Sequence, residues 1–302
     1  MSAGSLSPET LAALAEADHD ADAVEALARD AVEEDLAGGV DVTSVATVPD
    51  DLLGTAAFVS RAEGVVAGVP VAMAVLDVVG DVEHLNRSTD GVAVTRGASV
   101  LEVRGAVRTL LTAERSALNL LCHLSGVATL TRQWADAVAG TGAHVRDTRK
   151  TTPGLRRLEK YAVRCGGGVN HRMALSDAAL VKDNHVVAAG GVVAAFDAVR
   201  RRFPDLEIEV ECDTLEQVRE VVDAGADLVL LDNMDLAALR VAVAVCRPAG
   251  VLTEASGGLR LEDARAVAET GVDFLAVGAL THSAPVLDLG VDLRLAREEG
   301  TA

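Results

Sequence analysis

Lysine is scarce in this chain: Lys150, Lys160 and Lys182 are the only three among 302 residues. Positive charge of any kind is in short supply, with 27 Lys and Arg against 46 Asp and Glu for a formal net charge of −19. A carboxylate excess of this size repels polyanions at long range, which argues against a nucleic-acid partner. No apolar run approaches the length of a transmembrane span. The opening segment MSAGSLSPETLAALAEADHD has neither a basic region nor an apolar stretch, so the expectation is a cytoplasmic protein with no membrane partner. The four cysteines, Cys122, Cys165, Cys212 and Cys246, lack any paired spacing, which excludes a zinc knuckle or disulfide framework and fits a reducing compartment. Scarce Lys, abundant acids and small aliphatic side chains together suggest a halophilic protein, since high salt screens the self-repulsion. With half its residues hydrophobic, the chain can bury the core of one large domain or two unequal ones.

Against this background residues 146–182 form a cationic island. Nine Lys or Arg (Arg146, Arg149, Lys150, Arg156, Arg157, Lys160, Arg164, Arg172, Lys182) face only three acids (Asp147, Glu159, Asp177), and all three lysines of the chain fall here. An ammonium is a compact point charge and a guanidinium a planar fork, so the two do different work. Together they suit a small polyanionic substrate held partly by Arg–carboxylate pairs and partly by Lys–phosphate contacts.

From about residue 140 to 280, apolar runs (143–145, 178–181, 207–210, 228–231, 251–253, 274–277) alternate with amphipathic stretches. Thr214 and Gln217 have the spacing of a capping box, and Gly225 and Gly271 stand where helices end. Such a pattern predicts parallel βα units, in an open doubly wound sheet or a barrel. The strand ends favour the barrel. A polar group follows each run: Arg149 and Lys150, Lys182, Glu211, Asp232, Glu254 and Ser256, then Gly278 with Thr281 and His282. A barrel gathers all of its C-terminal strand ends round one mouth, whereas an open sheet uses only those beside its switch point. Any βα loop can begin with polar residues, so the full row matters more than one position.

Ser256-Gly257-Gly258 and Val277-Gly278-Ala279 follow the last two strands, where barrels cradle phosphate. Glu211 and Asp232 can hold ribose hydroxyls or a divalent cation such as Mg²⁺, or simply pair with Lys150 or Lys182. Residues 1–140 are less periodic. Helical patterns cover 9–36, a turn-rich connection spans 38–44, and candidate strands at 54–60, 64–68, 81–87 and 99–104 surround a helix at 70–79. These describe a small α+β layer. A helix then follows from Arg108, and its Arg115 need not face the core. Residues 1–8 and 296–302 read as frayed ends. His19, His84, His123 and His144 are isolated, and His171 and His185 are too far apart for a local metal pair.

Seven segments, TAERSALNLLCHLSGVAT, RDTRKTTPGLRRLEKYAV, GGGVNHRMALSDAALVKDNH, EVEC, LLDNM, EASGG and AVGALTHS, occur in this order. Over roughly residues 20–295 the chain resembles the quinolinate phosphoribosyltransferase family, also called nicotinate-nucleotide diphosphorylase (carboxylating). The Asp-Thr-Arg-Lys and Asn-His-Arg blocks are its most specific parts.

The resemblance implies an α/β protein with an N-terminal α+β domain, a partly open (β/α) barrel with the active site at its C-terminal strand ends, and a homodimer, or a higher homo-oligomer built from dimers, in which the neighbouring subunit completes that site. On this reading 1–8 is a flexible N-terminus, 9–107 the first domain with 285–302 packing back on it, and 108–284 the barrel. The implied reaction is a pentosyl transfer from 5-phosphoribosyl-1-diphosphate to quinolinate with loss of CO₂, giving nicotinate mononucleotide for NAD synthesis. It needs Mg²⁺ with the diphosphate substrate and no organic cofactor. By position, Arg149, His171 and Arg172 resemble the quinolinate clamp, joined by Arg115 of the partner chain. Lys150 and Lys182 resemble groups facing the donor and its diphosphate, and Glu211 and Asp232 its ribose and Mg²⁺ contacts. Ser256, Gly257, Gly278 and His282 resemble the 5′-phosphate cradle. Rival readings are a paralogue acting on another acceptor, such as the molybdenum-associated homologues, another phosphate-handling barrel enzyme, and a non-catalytic metabolite-binding barrel.

Overall fold

A computed structural model describes residues 5–296. The chain divides into two compact units. One runs to Thr129 and resumes at Pro285; the other is Leu130–Ala284.

The first unit starts at helix α1 (Pro8–Glu16), where the Ser7 side chain accepts from Thr10 N and Pro8 occupies the first turn. Leu6 is buried, so residues 5–8 are ordered at a helix start and not frayed, and Ala296, also expected to fray, donates its backbone N–H to the Leu53 carbonyl at 3.0 Å; the other terminal residues expected to fray, 1–4 and 297–302, lie outside the described residues. The helical pattern over 9–36 is two helices. Asp18 turns the chain with a φ of 56°, and Asp20 then caps α2 (Ala21–Leu36). The connection at 38–44 holds a further short helix, α3 (Val42–Thr47), because Asp41 accepts from the backbone N–H groups of Thr43 and Ser44. Then come β1 (Leu53–Ser60), β2 (Gly64–Val65), α4 (Val69–Val79), β3 (Val82–Arg87), β4 (Ala93–Val94) and β5 (Ser99–Ala106). The strand expected at 64–68 stops early because Gly68 takes a φ of 95° to open α4. Helix α4, rich in Val and Ala, is buried along its whole length and packs against α1, α2 and β3.

Helix α5 (Val107–Ala137) is 31 residues long, and the division between units falls inside it at 129/130, not at residue 107/108. The second unit then alternates as expected: β6 (His144–Arg146), α6 (Arg156–Cys165), β7 (Ala179–Val181), α7 (Asp183–Ala189), α8 (Val192–Arg202), β8 (Ile208–Cys212), α9 (Leu215–Asp223), β9 (Leu228–Asp232), α10 (Leu236–Cys246), β10 (Leu252–Ser256), α11 (Ala264–Ala268), β11 (Phe274–Ala276) and α12 (Ala279–His282). All neighbouring strands are parallel, in the order β6-β11-β10-β9-β8-β7. Among the described residues β6 and β7 are not paired with each other, so the barrel stays partly open between them. Burial explains the parallel arrangement. Leu228–Leu231 of β9 are buried on both faces, and α9 and α10 cover the sheet with Val218, Val221, Leu239, Ala242 and Val243. The Thr214–Gln217 capping box forms in both directions, and Gly225 and Gly271 take φ of 83° and 94° where α9 and α11 give way to the next strands.

The last strand, β12 (Leu289–Leu295), returns to the first unit and pairs antiparallel with β1, completing a sheet of order β12-β1-β5-β3. Among the described residues no helix is long and apolar enough to cross a membrane.

Candidate active site

The ends of the barrel strands enclose a cavity of about 450 Å³. Arg149, Lys150, His171, Arg172, Lys182, Glu211, Asp232 and Ser256 all line it. Lys182 directly follows β7 and Asp232 closes β9, while Glu211, Glu254 and Ser256 lie within their strands and not past them. Strand periodicity of two puts Glu209 with Glu211, and Glu254 with Ser256, on the interior face.

Past the strands, Thr281 Oγ1 donates to the Lys150 carbonyl at 2.8 Å and so fixes the loop that carries this lysine. Gly257 has a φ of 95°, and a Cβ there would lie 2.3 Å from Asn233 Oδ1. A side chain at Gly278 would press on Lys150 and on His282 Nε2 at 3.2 Å. Both glycines let backbone and side chains close up at the ends of β10 and β11. His282 is exposed and faces the Ser283 hydroxyl through Nδ1 at 2.7 Å. Arg115 lies in the first unit, exposed on α5.

The electrostatics of the cavity are unbalanced in a particular way. Lys182 pairs with Glu211, so one of the alternatives open for that carboxylate is realised here. Arg172 donates from one terminal nitrogen to the Ala178 carbonyl at 2.9 Å. Its Nε, and that of Arg149, are buried with no hydrogen-bond partner. Burial, and then the nearby Arg149 charge, holds the Arg172 guanidinium below its ordinary pKa. Two such cations with idle donors side by side are costly unless an anion arrives to take them.

Beneath them lies a set of ionisable groups of which sequence reasoning assigned a site role only to His171. Lys160 and Asp147 form a fully buried ion pair. Asp147 also accepts from His171 N at 2.9 Å, while Lys160 donates to the His171 carbonyl at 2.9 Å. Burial pushes the Asp147 carboxyl up and the Lys160 ammonium down, against the attraction of the pair. His171 Nε2 lies 2.8 Å from Glu209 and 3.7 Å from Glu254, and Arg146 donates to Glu254 at 2.9 Å. Burial raises both carboxyls to about 7 and lowers His171 to about 4. The strand alternation Glu207-Ile-Glu-Val-Glu and the presence of Lys160 in the island were the available signals. Neither says which partner a buried charge will find.

Parallel strands that bring two lysines, two under-satisfied arginines and three carboxylates, Glu211, Asp232 and Glu254, to one mouth, with tight glycine loops beyond the last two strands, define a barrel enzyme with a site suited to polyanions. The family model for the quinolinate phosphoribosyl transferase C-terminal domain matches residues 127–292, and that for the N-terminal domain matches 41–125. The chain belongs to this family. It is 53% identical over 277 residues to nicotinate-nucleotide pyrophosphorylase (carboxylating) of Mycobacterium leprae, covering 90% of this chain and 98% of that one. It is 39% identical to the chloroplastic enzyme of the same name from Arabidopsis thaliana, covering 89% and 83%. The solved nicotinate-nucleotide pyrophosphorylase from Francisella tularensis superposes with a TM-score of 0.86 at 36% identity, over 90% of this chain and 96% of that one.

Proposed function

We propose that the cavity is where this enzyme joins quinolinate to 5-phosphoribosyl-1-diphosphate, releasing diphosphate and CO₂ and giving nicotinate mononucleotide for NAD synthesis. The observation that carries the reading is the pair of buried, unpartnered Arg149 and Arg172 Nε–H donors beside two lysines in one cavity. A dicarboxylate supplies acceptors to the first pair, and a diphosphate supplies charge to the second.

Lys150 and Lys182 stabilise the departing diphosphate. As Lys182 turns to it, Glu211 is released to the ribose, where with Asp232 it stabilises positive charge growing on the anomeric carbon. No covalent nucleophile is needed; positioning and fixed charges suffice. Glu211 and Asp232, on adjacent strands and both lining the cavity, suit Mg²⁺ arriving with the diphosphate, because this ion takes one or two carboxylates plus phosphate oxygens. Mg²⁺ would supply charge neutralisation there. Once its nitrogen is alkylated, the positive ring stabilises the electron pair that departing CO₂ leaves on the adjacent carbon, and a proton from water then takes that pair to give the C–H bond of the product, so no organic cofactor is required. Ser256, Gly257, Gly278 and His282 form the 5′-phosphate cradle. Arg115 acts from the partner subunit of a cytoplasmic homodimer.

The purified protein, incubated with quinolinate, 5-phosphoribosyl-1-diphosphate and Mg²⁺ in high-potassium buffer, is expected to release CO₂ and nicotinate mononucleotide in equal amounts. Consumption of the donor with a different acceptor, and none with quinolinate, would overturn the substrate assignment.

A further inference from the structure

His171 spends every hydrogen-bonding group it has inside the protein. Its backbone N–H goes to Asp147 and its carbonyl to Lys160. Its Nδ1 lies 2.6 Å from the backbone N of Arg172 and can only accept there. With Nδ1 bare, a neutral imidazole carries its hydrogen on Nε2. That nitrogen is 2.8 Å from Glu209 Oε2 and donates to it, whereas Glu254 at 3.7 Å is beyond a hydrogen bond. The ring is buried at 8% exposure and Glu209 at 2%, so neither turns outward without breaking these contacts. Burial, with the cations Arg146, Lys160 and Arg172 around it, keeps the imidazole neutral near pH 7 despite Glu254.

The same tautomer decides against a metal. His171, Glu209 and Glu254 offer ligand atoms within 4.8 Å of one another, but an Nε2 that carries hydrogen has no lone pair for an ion. The opposite tautomer would turn an Nδ1–H toward the Arg172 N–H, donor against donor.

Resting on the reading of the cavity given above, we propose that His171 is a positioning residue and not a donor to the quinolinate carboxylates, and that Glu209, by anchoring the Nε2–H of its ring, sets the placement of Arg172 and hence the affinity for the acceptor. The idle donors at the cavity wall belong to Arg149 and Arg172; His171 is the strut that accepts the backbone N–H of Arg172. Glu209 thereby joins the determinants of acceptor binding without touching the acceptor.

The test combines kinetics with ¹⁵N-histidine NMR of the whole protein, the His171 signals being assigned by their loss in His171→Phe. Glu209→Gln keeps an acceptor for Nε2–H and is expected to hold the quinolinate KM within about twofold of wild type. Glu209→Val removes the acceptor and strands the buried N–H, raising the quinolinate KM by about tenfold with the KM for 5-phosphoribosyl-1-diphosphate little changed. The NMR is expected to show an Nε2–H tautomer in the free protein and in Glu209→Gln, with no new hydrogen bond to Nε2 when quinolinate is added. An Nδ1–H tautomer, an imidazolium at pH 7, or an Nε2 resonance that moves to a new partner on adding quinolinate would each overturn the proposal, as would a folded Glu209→Val with an unchanged quinolinate KM. The tautomer is read without turnover, so an enzyme that ignores quinolinate would sink the functional reading while the NMR still decides the His171–Glu209 geometry.

Discussion

In the first unit, helix α4 is enclosed by its neighbours along all eleven residues, and ten of these are Val, Ala, Leu, Met or Pro. Its one ionisable residue, Asp77, is matched by His84 at 2.7 Å and by the backbone N–H of Ser7 at 2.8 Å. Burial pushes the Asp77 carboxyl up, yet the hydrogen bonds from His84, Thr10 and Ser7 outweigh it and hold the group below its ordinary value. The barrel interior is built otherwise: Asp147, Lys160, His171, Glu209 and Glu254 are buried there, and Glu209 and Glu254 each keep one oxygen without a partner. A hydrophobic filling of the same volume is commonly as stable or more so than buried ions. The difference teaches that the first unit is arranged for its own stability, while the second accepts desolvation costs in order to hold His171 and the two arginines at the cavity.

That contrast breaks most directly at Lys160. Lys160→Met leaves Asp147 charged, buried and short of its partner, and is expected to cost about 3–5 kcal/mol. Urea unfolding followed by the fluorescence of Trp134, the chain's only tryptophan, buried in the second unit, measures it. A loss below about 1 kcal/mol would mean that the barrel ions are not a linked set.

The pH dependence sharpens the comparison. Glu209 and Glu254 are raised from 4.5 to about 7, so the native barrel keeps protons that the unfolded chain has lost, and these groups make stability fall as pH rises between about 4.5 and 7. His171 is lowered from 6.5 to about 4 and works in the opposite direction, adding stability as pH rises through about 4 to 6.5. Glu254→Gln removes one of the falling contributions. Relative to wild type, the variant should therefore gain on the order of 3 kcal/mol on going from pH 4.5 to 7, read from urea midpoints at each pH. Parallel curves would place Glu254 in a more solvated setting than the barrel gives it.

The smallest effect belongs to the first unit's surface. Arg29 and Glu25 pair at 2.5 Å one turn apart on α2, both about a third exposed. Glu25→Gln should change stability by no more than about 0.5 kcal/mol, and less in high salt, as measured by thermal unfolding in low- and high-potassium buffer. A larger loss would show that surface charge also shapes the first unit.

The sequence by itself determined the repeat of the second unit, its strand ends to within three residues, and eight of the residues that line the cavity, though Arg115, Gly257, Gly278 and His282 are not among the lining residues. Strand and helix periods are local, and the polar groups at strand ends share one mouth whatever the details of packing. It also contained the family's motif blocks in order. It did not separate α1 from α2 or foresee α3, because Asp18, Asp20 and Asp41 act through backbone geometry that composition does not encode. Only the tertiary structure decided that Lys160 meets Asp147, that Arg146 meets Glu254, and that both nitrogens of His171 are already engaged. These partners lie up to 108 residues apart in the chain, and a buried charge takes whichever complementary group the fold carries within hydrogen-bond reach.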